Sequence, residues 1–313
     1  MAVYNPNIEF FRAQLRSILN QTYPIVRVVI IDDASHSPAD ITKAIDSLKI
    51  EIPEAPEVIL TRNNRNQGHT LSFTTYIEKI SADVIFFSDQ DDIWDHSKIA
   101  TCMEFFSENP SIKCLTHDFY VCTADLVPQA DTIMESIQKN GAPPSTVGHG
   151  FATAIKSEVF PLMADASDAR GGHDGWIRTF GDTLGIRSLV RKPLAYWRRH
   201  PGAYGNSQMR KIENRYLRLK RASYSYRANN YQRCEADFSS MSKWFFQYRN
   251  HLSYNESIVI ESKLKKISNE LKIRNTILNG KILELFSAIT RFPSRTIAGD
   301  LTARILRTLC RYE

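Results

Sequence analysis

Val84-Ile-Phe-Phe-Ser-Asp-Gln-Asp-Asp-Ile-Trp94 opens as a short apolar run and stops abruptly in a cluster of acids, Ser88 to Asp92. A continuous apolar run of this length reads as a strand buried on both faces of a parallel sheet. The pattern occurs once before, where Val26-Arg-Val-Val-Ile-Ile31 ends in Asp32-Asp-Ala-Ser35. In open α/β sheets, ligands bind outside the carboxyl ends of the strands. Both acid clusters occupy such ends, so position and chemistry agree.

Helical spacing surrounds the two runs. Phe10 to Leu19 sets Phe11, Leu15, Ile18 and Leu19 on one side and Arg12, Gln14 and Arg16 on the other, with Pro24 beyond its end. Ile41–Leu48 and Leu71–Ile80 read as further helices, and Glu57–Leu60 as a strand. This βαβα rhythm predicts an α/β domain with a mostly parallel sheet. Residues 123–150, with Pro143-Pro144 and several glycines, read as a long active-site loop, and 151–200 as mixed structure. Beyond about residue 210 the pattern is helical. Ile260, Leu264, Ile267, Leu271, Leu278, Ile282 and Leu285 recur at spacings of three, four or seven among lysines, and Leu301, Ile305 and Leu309 form a stripe beside Arg304, Arg307 and Arg311.

Charge divides the chain the same way. Residues 191–313 hold 25 Lys+Arg against 9 Asp+Glu, a net +16, whereas 1–190 hold 15 against 25, a net −10. An acidic half suits a metal ion; a basic half suits phosphates, anionic lipid or nucleic acid. The five cysteines lack CxxC spacing, which argues for reduced thiols rather than a disulfide framework or a zinc site. No stretch of about 18 uncharged apolar residues occurs, and no basic-then-apolar leader opens the chain, so a cytoplasmic location is expected.

Three carboxylates within four residues, Asp89, Asp91 and Asp92, repel one another unless a cation or good donors stand close. Alternate residues of an extended chain share a face, so Asp89 and Asp91 can converge on one centre. Hard oxygens suit Mg²⁺ or Mn²⁺, ions held by one or two carboxylates together with substrate phosphates. The plain alternative is a solvated acidic turn.

Four pieces in order over the first 95 residues resemble family 2 glycosyltransferases, enzymes of the GT-A fold, in their rhamnosyltransferase-like branch that builds bacterial surface polysaccharides. They are Met1-Ala-Val-Tyr-Asn-Pro6, Ser17-Ile-Leu-Asn-Gln-Thr-Tyr23, Ile31-Asp-Asp-Ala-Ser35 and Asp89-Gln-Asp-Asp-Ile-Trp94. Asn66-Gln-Gly68 resembles the family's N-x-G turn, and a simple glycine turn explains it almost as well. His173-Asp-Gly-Trp176, followed by Pro193-Leu-Ala-Tyr-Trp-Arg-Arg-His200 and Gly205-Asn206, resembles the family's HDWW segment and its later Y-R-x-H region.

The resemblance implies roles. Asp33 contacts the nucleobase with Tyr4 against it; Asp89 and Asp91 are the DxD pair that meets the ribose and holds the diphosphate-bound metal, with Asp92 beside them. Asp174 is the general base of an inverting transfer. Arg198, Arg199 and His200 face the departing diphosphate, while His173 and Trp176 shape the acceptor side. The residues alone leave other readings open: Asp174 as a helix N-cap, Trp176 as plain core and Arg198-Arg-His200 as a solvated basic turn.

Two departures stand out. Relatives carry more apolar residues before the equivalent of Met1, so the first strand is very short or the sequence lacks its N-terminus. Gly175 stands where the family often has an aromatic residue.

The expectation is a GT-A catalytic domain over 1–205 and a helical basic region over 206–313. The reaction moves a sugar from a UDP- or dTDP-linked donor, with Mg²⁺ or Mn²⁺, to a glycan or lipid-linked oligosaccharide; the basic region reads as meeting an anionic membrane surface, the alternative being solvated helices that pack on the catalytic domain. No reader motif points to nucleic acid. The alternative is a non-catalytic sugar-nucleotide or polysaccharide-binding relative. A nucleotidyltransferase is disfavoured because no Gly-rich phosphate loop follows the first strand.

Overall fold

The structure, a computed structural model, describes residues 1–77, 79–163, 172–201, 224–279 and 300. The Leu301, Ile305, Leu309 stripe, Ile282, Leu285 and Gly205-Asn206 lie outside the described residues. The chain divides into two compact units, Met1–Tyr204 and Gly205–Glu313.

The first unit begins with β1 (Ala2–Val3), α1 (Ile8–Leu19), β2 (Arg27–Asp32), α2 (Pro38–Glu51) and β3 (Glu57–Arg62). These strands form a parallel sheet in the order β1-β2-β3. The α1 helix starts where the Asn7 side chain accepts the Phe10 N–H at 3.1 Å, an N-cap that satisfies one of the free amides of the first turn. Its Phe11, Leu15, Ile18 and Leu19 are buried, with Phe11 and Leu15 in the same core as Ile30 and Leu48. Gln14, read as a solvent-side residue, is buried as well, because its amide donates to Ser88 Oγ at 2.8 Å.

After α3 (His69–Ile77), β4 (Val84–Phe86) and β5 (Ile93–Trp94) come α4 (Lys98–Glu108) and β6 (Cys114–Cys122). Residues 123–150 are not one loop. They contain β7 (Pro128–Thr132) and α5 (Ile133–Lys139), whose start is a reciprocal capping box between Thr132 and Glu135. The unit continues through β8 (Thr153–Lys156), α6 (Phe160–Met163), α7 (Gly172–Leu184) and β9 (Arg187–Arg198).

The later strands make a six-stranded sheet in the order β4-β8-β6-β9-β5, with β7 on β6. Only β6 and β9 pair parallel there, the others antiparallel. The fold is α/β with a parallel sheet, as expected, and the parallel character is concentrated in the first three strands. The Ala2 N–H donates to Ser88 O at 3.3 Å, bringing the end of β4 beside β1. The carboxyl ends of β1, β2 and β4 therefore lie next to one another.

The second unit contains the helices Tyr224–Tyr248 and Tyr254–Asn279, which pack together around Tyr231, Leu271 and Leu278. Arg274 and Asp300 form a buried ion pair at 2.6 Å there.

Candidate active site

The loops after β1 and β2 are stitched to each other. The Asn5 N–H donates to Ser35 Oγ at 2.9 Å, and Asn5 Oδ1 accepts the His36 N–H at 2.8 Å. Both loops carry a residue in the left-handed region, Asn5 at φ 45 and Ala34 at φ 65. For alanine that conformation is strained, and strain of this kind concentrates where a loop is held for function. Tyr4 is 42% exposed at this edge, its ring 6.3 Å from that of His36.

Asp33 lies beneath and is buried. Its carboxylate accepts Asn63 Nδ2 at 2.8 Å and the backbone N–H groups of Gln67 and Gly68 at 3.1 and 2.8 Å. Asn66-Gln-Gly68 is thus more than a connecting turn, since it presents amides to Asp33, and Gly68 supplies the φ of +84 the turn needs. Asp33 shapes this end of the site through donors it already holds. Asp32 does likewise, accepting the Ser35 N–H at 2.8 Å and pairing with Arg62.

The acid loop, which bends at Gln90 and Asp91, sends its side chains to different partners. Gln90 turns to β1, accepting the Tyr4 N–H at 2.8 Å and donating to Tyr4 O at 3.3 Å. Asp91 Oδ2 lies 2.9 Å from His200 Nε2. Burial, with the nearby Asp91 and Asp174 carboxylates and against the Met1 ammonium and Lys98, pushes the Asp89 carboxyl up to about 7. Asp92 departs from its expected place among the metal ligands. It is fully buried, its Oδ1 accepts the Arg198 N–H at 3.0 Å, and burial raises its carboxyl well above the ordinary range.

Arg198 is also a correction. It is 5% exposed, its Nε donates to Asp91 O at 2.8 Å, its Nη1 donates to Ala124 O, and its guanidinium lies 4.2 Å from the Phe10 ring. A guanidinium so committed builds the acid loop and does not face a diphosphate. Lys98, which no sequence signal singled out, is wholly buried beneath that loop. Its ammonium donates to Phe151 O at 2.7 Å and sits 3.6 Å from the Trp94 ring centroid. Burial lowers it to about 7, with Asp92 and Asp89 among the charges that oppose the shift.

The opposite wall is the first turn of α7. Asp174 sits there, at the positive end of the helix dipole. Its Oδ1 accepts the Gly175 N–H at 2.8 Å. Burial still raises it above the ordinary carboxylate value. Gly172, at φ +78, starts the helix; a Cβ there would stand 2.8 Å from Thr70 Oγ1, so glycine permits α7 to approach α3.

His173 and Trp176 do not form an acceptor face. His173 is 2% exposed among Phe73, Phe87 and His69, with ring centroids at 4.7, 5.1 and 5.6 Å, and burial lowers it to about 3, so the ring is neutral. A Cβ at Gly150 would come within 2.4 Å of His173 Nε2. The imidazole therefore packs directly against the Gly150 backbone. Trp176 is 2% exposed, donates from Nε1 to Leu162 O and packs edge-on to Phe180 at 5.5 Å. Both are buried because α7 turns its apolar stripe, with Ile177 and Phe180, into the core.

Asp89, Asp91 and Asp174 thus share one acidic region, and none of the three residues is fully enclosed. No group of three or more His, Cys, Asp or Glu side chains among the described residues forms a metal cage by itself. Two carboxylates in need of positive charge fit Mg²⁺ or Mn²⁺, whose shell is commonly completed by substrate phosphates and water. Among the described residues no helix is long and apolar enough to cross a membrane.

An α/β sheet with acidic loops gathered at its strand ends, followed by a mixed sheet, is the GT-A architecture. Residues 1–161 match the family described as Glycosyl transferase family 2, and the chain belongs to that family. It is 25% identical over 199 residues to an uncharacterized glycosyltransferase of Nostoc sp. (strain PCC 7120), covering 59% of each chain. It is 29% identical over 120 residues to an uncharacterized glycosyltransferase of Haemophilus influenzae, covering 38% of this chain and 45% of that one. The chain therefore spans less than two thirds of either relative. Among solved structures it is similar to S. aureus TarS 1-349 in complex with UDP, with 13% identity, a TM-score of 0.50, and 99% and 90% of the two chains covered.

Proposed function

We propose that this chain transfers a sugar, with inversion, from a UDP- or dTDP-linked donor (rhamnose being one candidate sugar) to a glycan or lipid-linked oligosaccharide in bacterial surface-polysaccharide synthesis. The observation that carries the reading is the meeting of Asp89 and Asp91, at the end of β4, with Asp174 from α7 in one acidic region. Tyr4 offers an exposed ring for the nucleobase above the loop that Asp33 holds in shape. Asp89 and Asp91 would hold Mg²⁺ or Mn²⁺, which would supply Lewis-acid stabilisation of the departing diphosphate. His200 orients the Asp91 carboxylate for that work. Asp174 takes the proton from the acceptor hydroxyl as its oxygen attacks the anomeric carbon, and its raised proton affinity suits a base. The reaction runs at the cytoplasmic face of a membrane, met by the basic region 206–313.

The test is donor binding and turnover across UDP-, dTDP- and GDP-sugars with Mn²⁺ or EDTA, for the wild type, Asp91→Ala and Asp174→Asn. Metal-dependent binding of one donor, lost in Asp91→Ala but kept without turnover in Asp174→Asn, supports the mechanism. Absence of binding to every donor in the presence of metal overturns it.

A further inference from the structure

Large exposed apolar side chains are scattered singly over the first unit, but in the second they gather where its two long helices join. Phe246 is 66% exposed, Tyr254 80%, Ile258 47% and Val259 51%. Phe246 lies near the end of the helix Tyr224–Tyr248, and the other three fall in the first two turns of Tyr254–Asn279. Tyr254 and Ile258 are four residues apart and so share a helix face. The junction is a built feature: Ser253 and Glu256 cap the second helix reciprocally, with contacts of 2.7 and 3.3 Å.

Cations ring these apolar groups. The Arg249 guanidinium lies 5.7 Å from the Phe246 ring centroid, and Lys243 is exposed one turn before Phe246. Lys265 and Lys266 are exposed seven residues beyond Ile258 and Val259, about 10 Å further along the helix. Glu261 is the exposed acid between them. An apolar tip with Arg249 and Lys243 beside Phe246, and with Lys265 and Lys266 about 10 Å further along the second helix, matches an anionic bilayer interface, where apolar groups meet acyl chains and cations meet phosphates.

We infer that the tip formed by Phe246, Tyr254, Ile258 and Val259 inserts into the interface of an anionic membrane, with Lys243, Arg249, Lys265 and Lys266 meeting its phosphates. This rests on the membrane reading of the basic region and specifies which residues carry it. It asks nothing of the transfer chemistry.

The experiment is flotation of the full-length chain with vesicles of phosphatidylcholine alone and of phosphatidylcholine mixed with phosphatidylglycerol. Wild type, Phe246→Asp/Ile258→Asp and Lys265→Glu/Lys266→Glu are compared, with circular dichroism to confirm that each is folded. The wild type should float with the mixed vesicles and weakly or not at all with phosphatidylcholine. Each double variant should lose at least about tenfold in affinity, the first by forfeiting apolar burial and the second by forfeiting phosphate attraction. As a further readout, Tyr254→Trp should show a blue-shifted emission on mixed vesicles. Wild-type flotation that both double variants retain, with no shift in the Tyr254→Trp emission, overturns the tip and leaves membrane binding to another surface. No flotation of the wild type overturns the tip and the membrane reading together, while donor turnover tests the transferase reading separately.

Discussion

His200 Nε2 stands 2.9 Å from Asp91 Oδ2, joining the end of β9 to the acid loop across 109 positions of sequence. The contact holds one of two candidate metal ligands in place from behind, as partners of metal-binding carboxylates do. His200→Ala is expected to weaken Mn²⁺ binding in the presence of a nucleoside diphosphate by about tenfold. Calorimetric titration with Mn²⁺ checks this, and an unchanged affinity removes His200 from the site.

Asp174→Asn should leave donor affinity intact and reduce turnover by about 10³-fold, the range expected for loss of a positioned general base. Burial raises this carboxyl above its ordinary 3.8, and a base works only when ionised. Activity therefore declines as pH falls through the raised value, placing the acid limb above pH 3.8. The stability effect follows the same sign: the native state keeps this proton to higher pH than the unfolded chain. The group's contribution is present below its unfolded pKa and is lost as pH rises through the folded one. A pH–rate profile with an acid limb at or below 3.8 would remove Asp174 from the role of base.

Gly150→Ala places a Cβ 2.4 Å from His173 Nε2, and Phe73, Phe87 and His69 crowd the imidazole on its other sides. The expected loss is about 1–3 kcal/mol, as for overpacked cores. Combining it with His173→Ala should recover part of that loss, because the clash requires both groups. Urea denaturation of the two single variants and the double variant tests the coupling. Simple additivity would show that the two residues do not meet as described.

Trp176→Ala should cost about 3–5 kcal/mol, the range for removing a buried aromatic. Trp176→Phe should retain acceptor KM, since a ring 2% exposed offers no face to a sugar. A raised acceptor KM with unchanged thermal stability would return Trp176 to the acceptor site.

Much of this could be read along the chain. A strand buried on both faces of a parallel sheet must be a continuous apolar run, and β2 fits that reading. β4 is a strand as its apolar run predicts, but it is half-buried and pairs antiparallel with β8 at the end of the mixed sheet, so the run locates the strand and its acids without fixing its sheet. Asp89 and Asp91 do lie apart from Gln90, whose amide turns to Tyr4, although the segment bends at Gln90 and Asp91 and is not the extended chain that alternation assumes. What the residue types do not record is burial, because that depends on partners far away in sequence. Asp92 faces inward because the Arg198 N–H, 106 residues later, meets it there. Arg198 is committed by Asp91 O and Ala124 O, and Lys98 by Phe151 O, although arginine and lysine look the same in a sequence whether solvated or enclosed. His173 and Trp176 belong to a recognisable motif, yet it is the docking of α7 on the core that encloses both rings and leaves Asp174, between them, to the site. Local pattern thus carries the strands and their acids, while long-range pairing of β9 and packing of α7 settle which side chains reach solvent.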